Sequence, residues 1–429
     1  MDLRFTPEFR RRTIVKVSWR LLPLVVLAYL VAYIDRTNVA FAALTMNKDL
    51  GISPYLYGLG AGIFFLGYAL FEVPSNMVLE KVGARMWIAR IMITWGIVSG
   101  LMATATGPVS FLSLRFALGV AEAGFFPGMI LYFTYWYPAE FRGRVISTLF
   151  IAVPVANAVA SVVSGAIMEM DGVLGLKGWQ WVFILEAIPA VVLAFVVLRY
   201  MTDRPAVAEW LDADQKEWLE SELQAERRKV EGAGRLGVLQ VLTDGRVLAI
   251  SAIYFFSATA NYGITFFMPQ IVKGFGLSNL MTGFVSAIPY TVGVIGLLAF
   301  GYSSDRLKER RRHLIFAATI AGVGFLGTAW LGSSYWALIA MSIATVGIYG
   351  SRPTMWPMPS QFLTGASAAV GIALINSIGN LGGYVGPFVV GWIKDSTKSF
   401  EMGVYFLAGC AFMSGLITYV ARRATGARA

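Results

Sequence analysis

The sequence predicts an all-α polytopic membrane protein with twelve transmembrane helices in two six-helix halves and both termini in the cytoplasm. Three observations predict it. Of the 429 residues, 57% are hydrophobic and only 14% are charged, where soluble chains average about 25% charged. Twelve apolar runs each approach or exceed the ~20 residues that a spanning helix needs. Positive charge gathers in every second loop.

The runs cover 21–46, 55–79, 86–106, 109–137, 144–168 and 179–201, then 246–272, 280–303, 313–332, 335–357, 367–393 and 400–421. None alternates as a membrane β-strand would. No small-residue cleavage motif follows the first run, so it is read as a span rather than a cleaved signal. The N-terminus carries Arg4, Arg10, Arg11, Arg12, Lys16 and Arg20. Loops on the same side carry Lys81 and Arg85, Arg142 and Arg144, the basic residues between 204 and 235, and the stretch 306–312. The tail adds Arg422, Arg423 and Arg428, while the opposite loops hold five lysines and no arginine. The positive-inside rule puts the basic side in the cytoplasm. The net charge of +10 is therefore a topology signal, and no nucleic-acid partner is expected.

These assignments divide the chain into a cytoplasmic N-terminus (1–20), a first half (21–201), a linker (202–245), a second half (246–421) and a tail (422–429). The linker is too short for a soluble catalytic domain. From Asp203 onward it reads as a surface helix, with Asp203 as a cap and Val207, Leu211, Trp218 and Leu223 on one stripe. Two halves joined by a cytoplasmic linker are the layout of repeat-built transporters, which bind cargo near the midplane. One cysteine (Cys410), one histidine (His313) and no HExxH or GxSxG motif argue against an enzyme and against a metal or other cofactor. A sensor would need a signalling domain.

Charge deep in the apolar runs marks the candidate site. Asp35 and Arg36 stand mid-run in the first, and Arg115 and Glu122 at similar depth in the fourth. Insertion scales assign each such charge a cost of about 2.5–3.5 kcal/mol, so these residues pair, face a cavity or handle a ligand. Tyr29, Tyr33 and Arg36 are spaced by four and three and share a helix face, with Asp35 rotated about 100° from Arg36. Arg352 lies inside the tenth run before a proline, where it either holds a second carboxylate, snorkels or pairs with an acid. Asn261 and Tyr262, Trp356, and Asn376 and Asn380 are polar contacts of the second half, or glue between helices. Glu72 and Glu186, nearer run ends, read as structural.

Two loops echo each other. NMVLEKVGARMW (Asn76–Trp87) and GYSSDRLKERRR (Gly301–Arg312) place Glu80, Lys81 and Arg85 against Asp305, Arg306 and further bases. An acid at a helix C-terminus is unfavourable unless it is paired, so an acid–base latch between helices is expected there. With YIDRTN (33–38), RFALGVAEAG (115–124), NYGITFFMPQIV (261–272), TMWPMPSQFLTG (354–365) and ALINSIGNLGGYVGP (373–387), these motifs span nearly the whole chain. The chain resembles the major facilitator superfamily. Within it, the likeness is to the anion:cation symporters, which include galactonate, tartrate, phthalate and hydroxyphenylacetate permeases. The first loop departs from the superfamily pattern, with Asn76 for the usual glycine and Glu80 for the usual Asp.

The resemblance implies that Arg36 and Arg115 hold a substrate carboxylate while Asp35 and Glu122 carry protons. Guanidinium chemistry agrees, because its planar fork binds carboxylate in two hydrogen bonds and stays charged when desolvated. The alternative for each acid is a permanent ion pair, Asp35 with Arg115 or Glu122 with Arg36. The expected activity is secondary active import of a small organic carboxylate (a sugar acid, dicarboxylate or aromatic acid), coupled to protons by alternating access. An uncoupled exchanger or exporter of the same fold is the alternative. The expected partners are the anion and the lipid bilayer, with the chain a monomer in a bacterial inner membrane.

Overall fold

The computed structural model describes residues 5–232, 238–332, 334–363 and 365–421. The expected tail, Arg4 and Arg235 lie outside the described residues. Every described element is an α-helix or a short 3-10 turn. The first set comprises α1 (Pro7–Thr37), α2 (Val39–Asp49), α3 (Pro54–Val82), α4 (Ala84–Leu101), α5 (Pro108–Glu122), α6 (Phe125–Thr134), α7 (Ala139–Ile167) and α8 (Gly178–Tyr200). The linker holds α9 (Ala213–Gly232) and α10 (Val238–Leu242). The second set is α11 (Gly245–Lys273), α12 (Asn279–Arg306), α13 (Arg311–Leu331), α14 (Tyr335–Met355), α15 (Gly365–Thr397) and α16 (Glu401–Val420).

Helix starts follow from local chemistry. Thr6, Ser53 and Ser278 accept backbone N–H bonds at the starts of α1, α3 and α12, and prolines occupy the first turns of α1 and α3. Among the described residues, eleven of the expected spans are long and apolar enough to cross a membrane, counting α1–α2 and α5–α6 as single spans. The expected tenth run folds as α14, which has the length but is not among the eleven; Tyr335, Trp336 and Arg352 dilute its apolar character. The first helix begins at Pro7, well before the apolar run, because the basic N-terminal segment packs on the linker.

Within the first set α4 packs on α8 and α3 on α5; within the second, α11 packs on α15 and α13 on α14 and α16. The sets meet along α3–α15 and α7–α12. At the α7–α12 crossing, a Cβ on Gly165 would lie 2.9 Å from both the Asn279 carbonyl oxygen and the Gly283 Cα, so only hydrogen fits.

The linker differs from expectation. Val207 ends a 3-10 turn and is exposed, while the helix proper starts at Ala213. Its buried stripe is Trp218, Leu219 and Leu223, with Leu211 just ahead. That stripe meets protein: Phe9 packs edge-on to Trp218, Arg10 pairs with Glu222 at 3.6 Å, Lys16 with Asp212 at 3.2 Å, and Arg142 with Glu226 at 2.9 Å. Asp203 caps a different helix from the one expected, its Oδ1 accepting the Arg85 backbone N–H at the start of α4 at 2.8 Å.

The expected latch also differs. Asp305 pairs with Arg310 five residues on and closes the turn between α12 and α13, because the loop folds back on itself. Arg306, Glu80, Lys81 and Arg85 are exposed.

Candidate functional site

A cavity lies between the two sets of helices, lined by side chains of α1, α3, α6 and α7 from the first set and of α11, α14 and α15 from the second. The expected stripe on α1 faces it. Tyr29, Tyr33 and Arg36 all line the cavity, with the two phenol rings edge to face at 5.1 Å. The Tyr33 and Tyr262 hydroxyls meet at 3.3 Å, joining α1 to α11 across the sets. The Arg36 guanidinium lies 5.0 Å from the Tyr33 ring and 5.4 Å from that of Tyr68. Such cation–π contacts stabilise a charge without neutralising it.

Behind Arg36 stands Glu122. The two form a buried ion pair, and Glu122 is the last residue of α5, where the apolar run breaks before α6. Gly124 makes the break possible: its φ is +85°, and a Cβ there would collide with Ser75. The second Glu122 oxygen, Oε2, is buried with no hydrogen-bond partner, and Arg36 Nε likewise. The pair is thus incompletely satisfied, and it is the Glu122–Arg36 pairing expected from the sequence as the alternative to a proton-carrying acid.

Opposite Arg36 stands Arg352 of α14. It lines the cavity and lies 5.1 Å from the Tyr254 ring, and no carboxylate pairs with it among the described residues. Trp356, one turn on, packs against Phe150 at 5.8 Å and Tyr254 at 5.2 Å, and its indole N–H has no partner. Asn376 and Asn380 of α15 complete the polar lining.

Arg115, Asn261 and Asp35 are placed elsewhere. The Arg115 side chain is fully buried and does not line the cavity; its Nε donates to the Gly60 carbonyl at 3.1 Å and a terminal nitrogen to that of Ala61 at 3.4 Å. Asn261 is buried on α11 but is not a lining residue. Asp35 points to α4, accepting from the Trp95 indole at 2.9 Å and the Ser99 hydroxyl at 2.8 Å, so its partner is not Arg115. Glu186 accepts from Ser164 at 2.6 Å. Glu72 accepts from Asn376 at 2.9 Å, bridging α3 and α15.

Sequence reasoning missed Tyr68, Tyr254 and Tyr349, which also line the cavity. The signal was present. Tyr349, Arg352 and Trp356 repeat the three-and-four spacing that picked out the α1 face, and Tyr254 lies eight residues before Tyr262.

Comparison with known proteins agrees with the fold. Residues 25–387 match the Major Facilitator Superfamily. A "Putative tartrate transporter" of Agrobacterium vitis is 50% identical over 416 residues, covering 97% of this chain and 96% of the relative. A "Quinolone resistance transporter" of Acinetobacter baumannii is 43% identical, covering 96% and 95%. The solved structure of a bacterial homolog to the human lysosomal transporter Spinster, inward-facing and unoccupied, superposes with a TM-score of 0.78 at 18% identity, covering 96% of this chain and 99% of that one. That likeness concerns the fold alone. The family consists of transporters rather than enzymes, and this chain is a multi-pass membrane protein that belongs to the Major Facilitator Superfamily.

Proposed function

We propose that the protein imports a small organic carboxylate with protons by alternating access through the central cavity. One observation carries the reading. Two guanidinium groups from opposite sets of helices, Arg36 and Arg352, line one cavity, and Arg352 has no carboxylate partner among the described residues. A cation left unpaired among apolar helices calls for an anion. The tartrate named in the description of the Agrobacterium relative is such an anion.

The Arg36–Glu122 pair supplies the coupling. A substrate carboxylate that takes Arg36 leaves Glu122 without its counter-charge in a dry site, and uptake of a proton removes that cost. Release of the anion reverses the exchange. Each proton carried also offsets one negative charge moving against an inside-negative potential, which opposes a monoanion by about 2.3 kcal/mol per 100 mV.

The rival is an uncoupled exchanger or exporter of the same fold; the Acinetobacter relative is named for quinolone resistance rather than for a carboxylate. Uptake of labelled tartrate into proteoliposomes separates the two. Accumulation driven by an inward proton gradient and abolished by a protonophore is expected. Exchange that ignores the protonophore would overturn the coupling. No binding or movement of any carboxylate in a panel would overturn the substrate class.

A further inference from the structure

The polar lining of the cavity is rich in donors. Arg36, Arg352 and the Trp356 indole can only donate, while tyrosine hydroxyls do either. Side-chain amides supply the acceptors, and Asn376 is held in one orientation. Its Nδ2 donates to Glu72 Oε1 at 2.9 Å, and both residues are more than nine-tenths buried. A carboxylate only accepts, so it fixes the amide nitrogen on its own side. The Asn376 carbonyl oxygen is thereby left toward the cavity that Asn376 lines. Glu72 itself does not line the cavity, and its second oxygen is buried without a partner.

We infer that Glu72 is a positioning residue which aims the Asn376 carbonyl at a substrate hydroxyl, so that the site selects hydroxylated carboxylates over their deoxy analogues. The inference rests on the carboxylate reading above and adds a specificity to it. Guanidinium groups take the carboxylates, and they would do so equally well for an acid without hydroxyls. Only an acceptor held in place distinguishes the two. Its bonding partner is missing in the deoxy acid, and a buried carbonyl left unpaired is penalised.

Affinities of tartrate and succinate for the purified full chain test this, since the two acids differ only in the hydroxyls. Wild type is expected to prefer tartrate by on the order of tenfold or more. Glu72→Leu should collapse that ratio toward one by weakening tartrate while succinate keeps its affinity. Glu72→Gln, whose amide donates as well as accepts and so can hold Asn376 in either orientation, should lower the ratio only partway. Asn376→Leu should produce the same collapse, with the double variant no worse than either single one. Glu72→Met serves equally should the leucine variant fail to fold. An unchanged ratio in Glu72→Leu or Glu72→Met, equal loss of both acids, or no preference in wild type would overturn the inference. Wild type that binds neither acid overturns the carboxylate reading and this inference together, and is distinguishable by that result alone.

Discussion

Arg36 reaches from α1 to hold Glu122 at the end of α5, and of the two only the arginine lines the cavity. The acid is reachable by substrate only through its partner. This separates binding from coupling. Glu122→Gln removes the titrating group but keeps its shape and one acceptor oxygen for Arg36. Exchange of labelled for unlabelled tartrate should survive, while accumulation under a proton gradient should fall to a concentration ratio near one. Retained gradient-driven accumulation would place the proton elsewhere.

Arg352 offers a second guanidinium across the cavity from Arg36. A charge-assisted hydrogen bond is worth about 1.5–3 kcal/mol, on the order of 10- to 150-fold in affinity. Arg352→Gln should therefore raise the dissociation constant of diacids by at least about tenfold, with monoacids changed much less. Titration of matched diacid and monoacid pairs checks this. Equal losses would assign Arg352 to a general electrostatic role.

Much of the site was legible because the α1 stripe obeys the helix repeat. Tyr29, Tyr33 and Arg36 share a face, and Asp35 turns to a different neighbour, Trp95 and Ser99. What spacing could not tell was which face of the fourth run meets the cavity. Lipid and protein are both apolar surroundings, so a membrane helix carries little asymmetry that separates a cavity face from a packed one. Arg115 is accordingly a deep arginine that braces α3, while Arg36 at similar depth lines the site. Glu72 was hidden for a different reason. The apolar run ends near residue 79, but α3 continues to Val82 and packs along α15, so an acid near the end of the run becomes buried. The linker misled because hydrophobic spacing begins before the helix does, leaving Val207 outside.

Arg115 gives the sharpest contrast with Arg36. Its guanidinium satisfies two carbonyls on α3, an arrangement that depends on the rigid fork and that a lysine cannot reproduce. Arg115→Lys should lower the melting temperature of the purified protein, through the loss of one or two buried hydrogen bonds at about 1–3 kcal/mol each. Tartrate affinity measured well below that temperature should change less than about threefold, under 1 kcal/mol. Loss of binding at unchanged stability would instead return Arg115 to the substrate site.

The crossing of α7 and α12 is one of the places where the two sets of helices tolerate little change. At Gly165 one methyl group meets Asn279 and Gly283 at 2.9 Å, both backbone atoms that cannot swing aside. Gly165→Ala must push the helices apart, and overpacking of this kind typically costs about 1–3 kcal/mol. Gly143, near the start of the same helix, is the internal control. A Cβ there has open space around it, and alanine is favoured over glycine within a helix by roughly 1 kcal/mol. Thermal denaturation should therefore move in opposite directions, downward for Gly165→Ala and level or upward for Gly143→Ala. A shared direction would mean that the α7–α12 contact does not hold the two sets together.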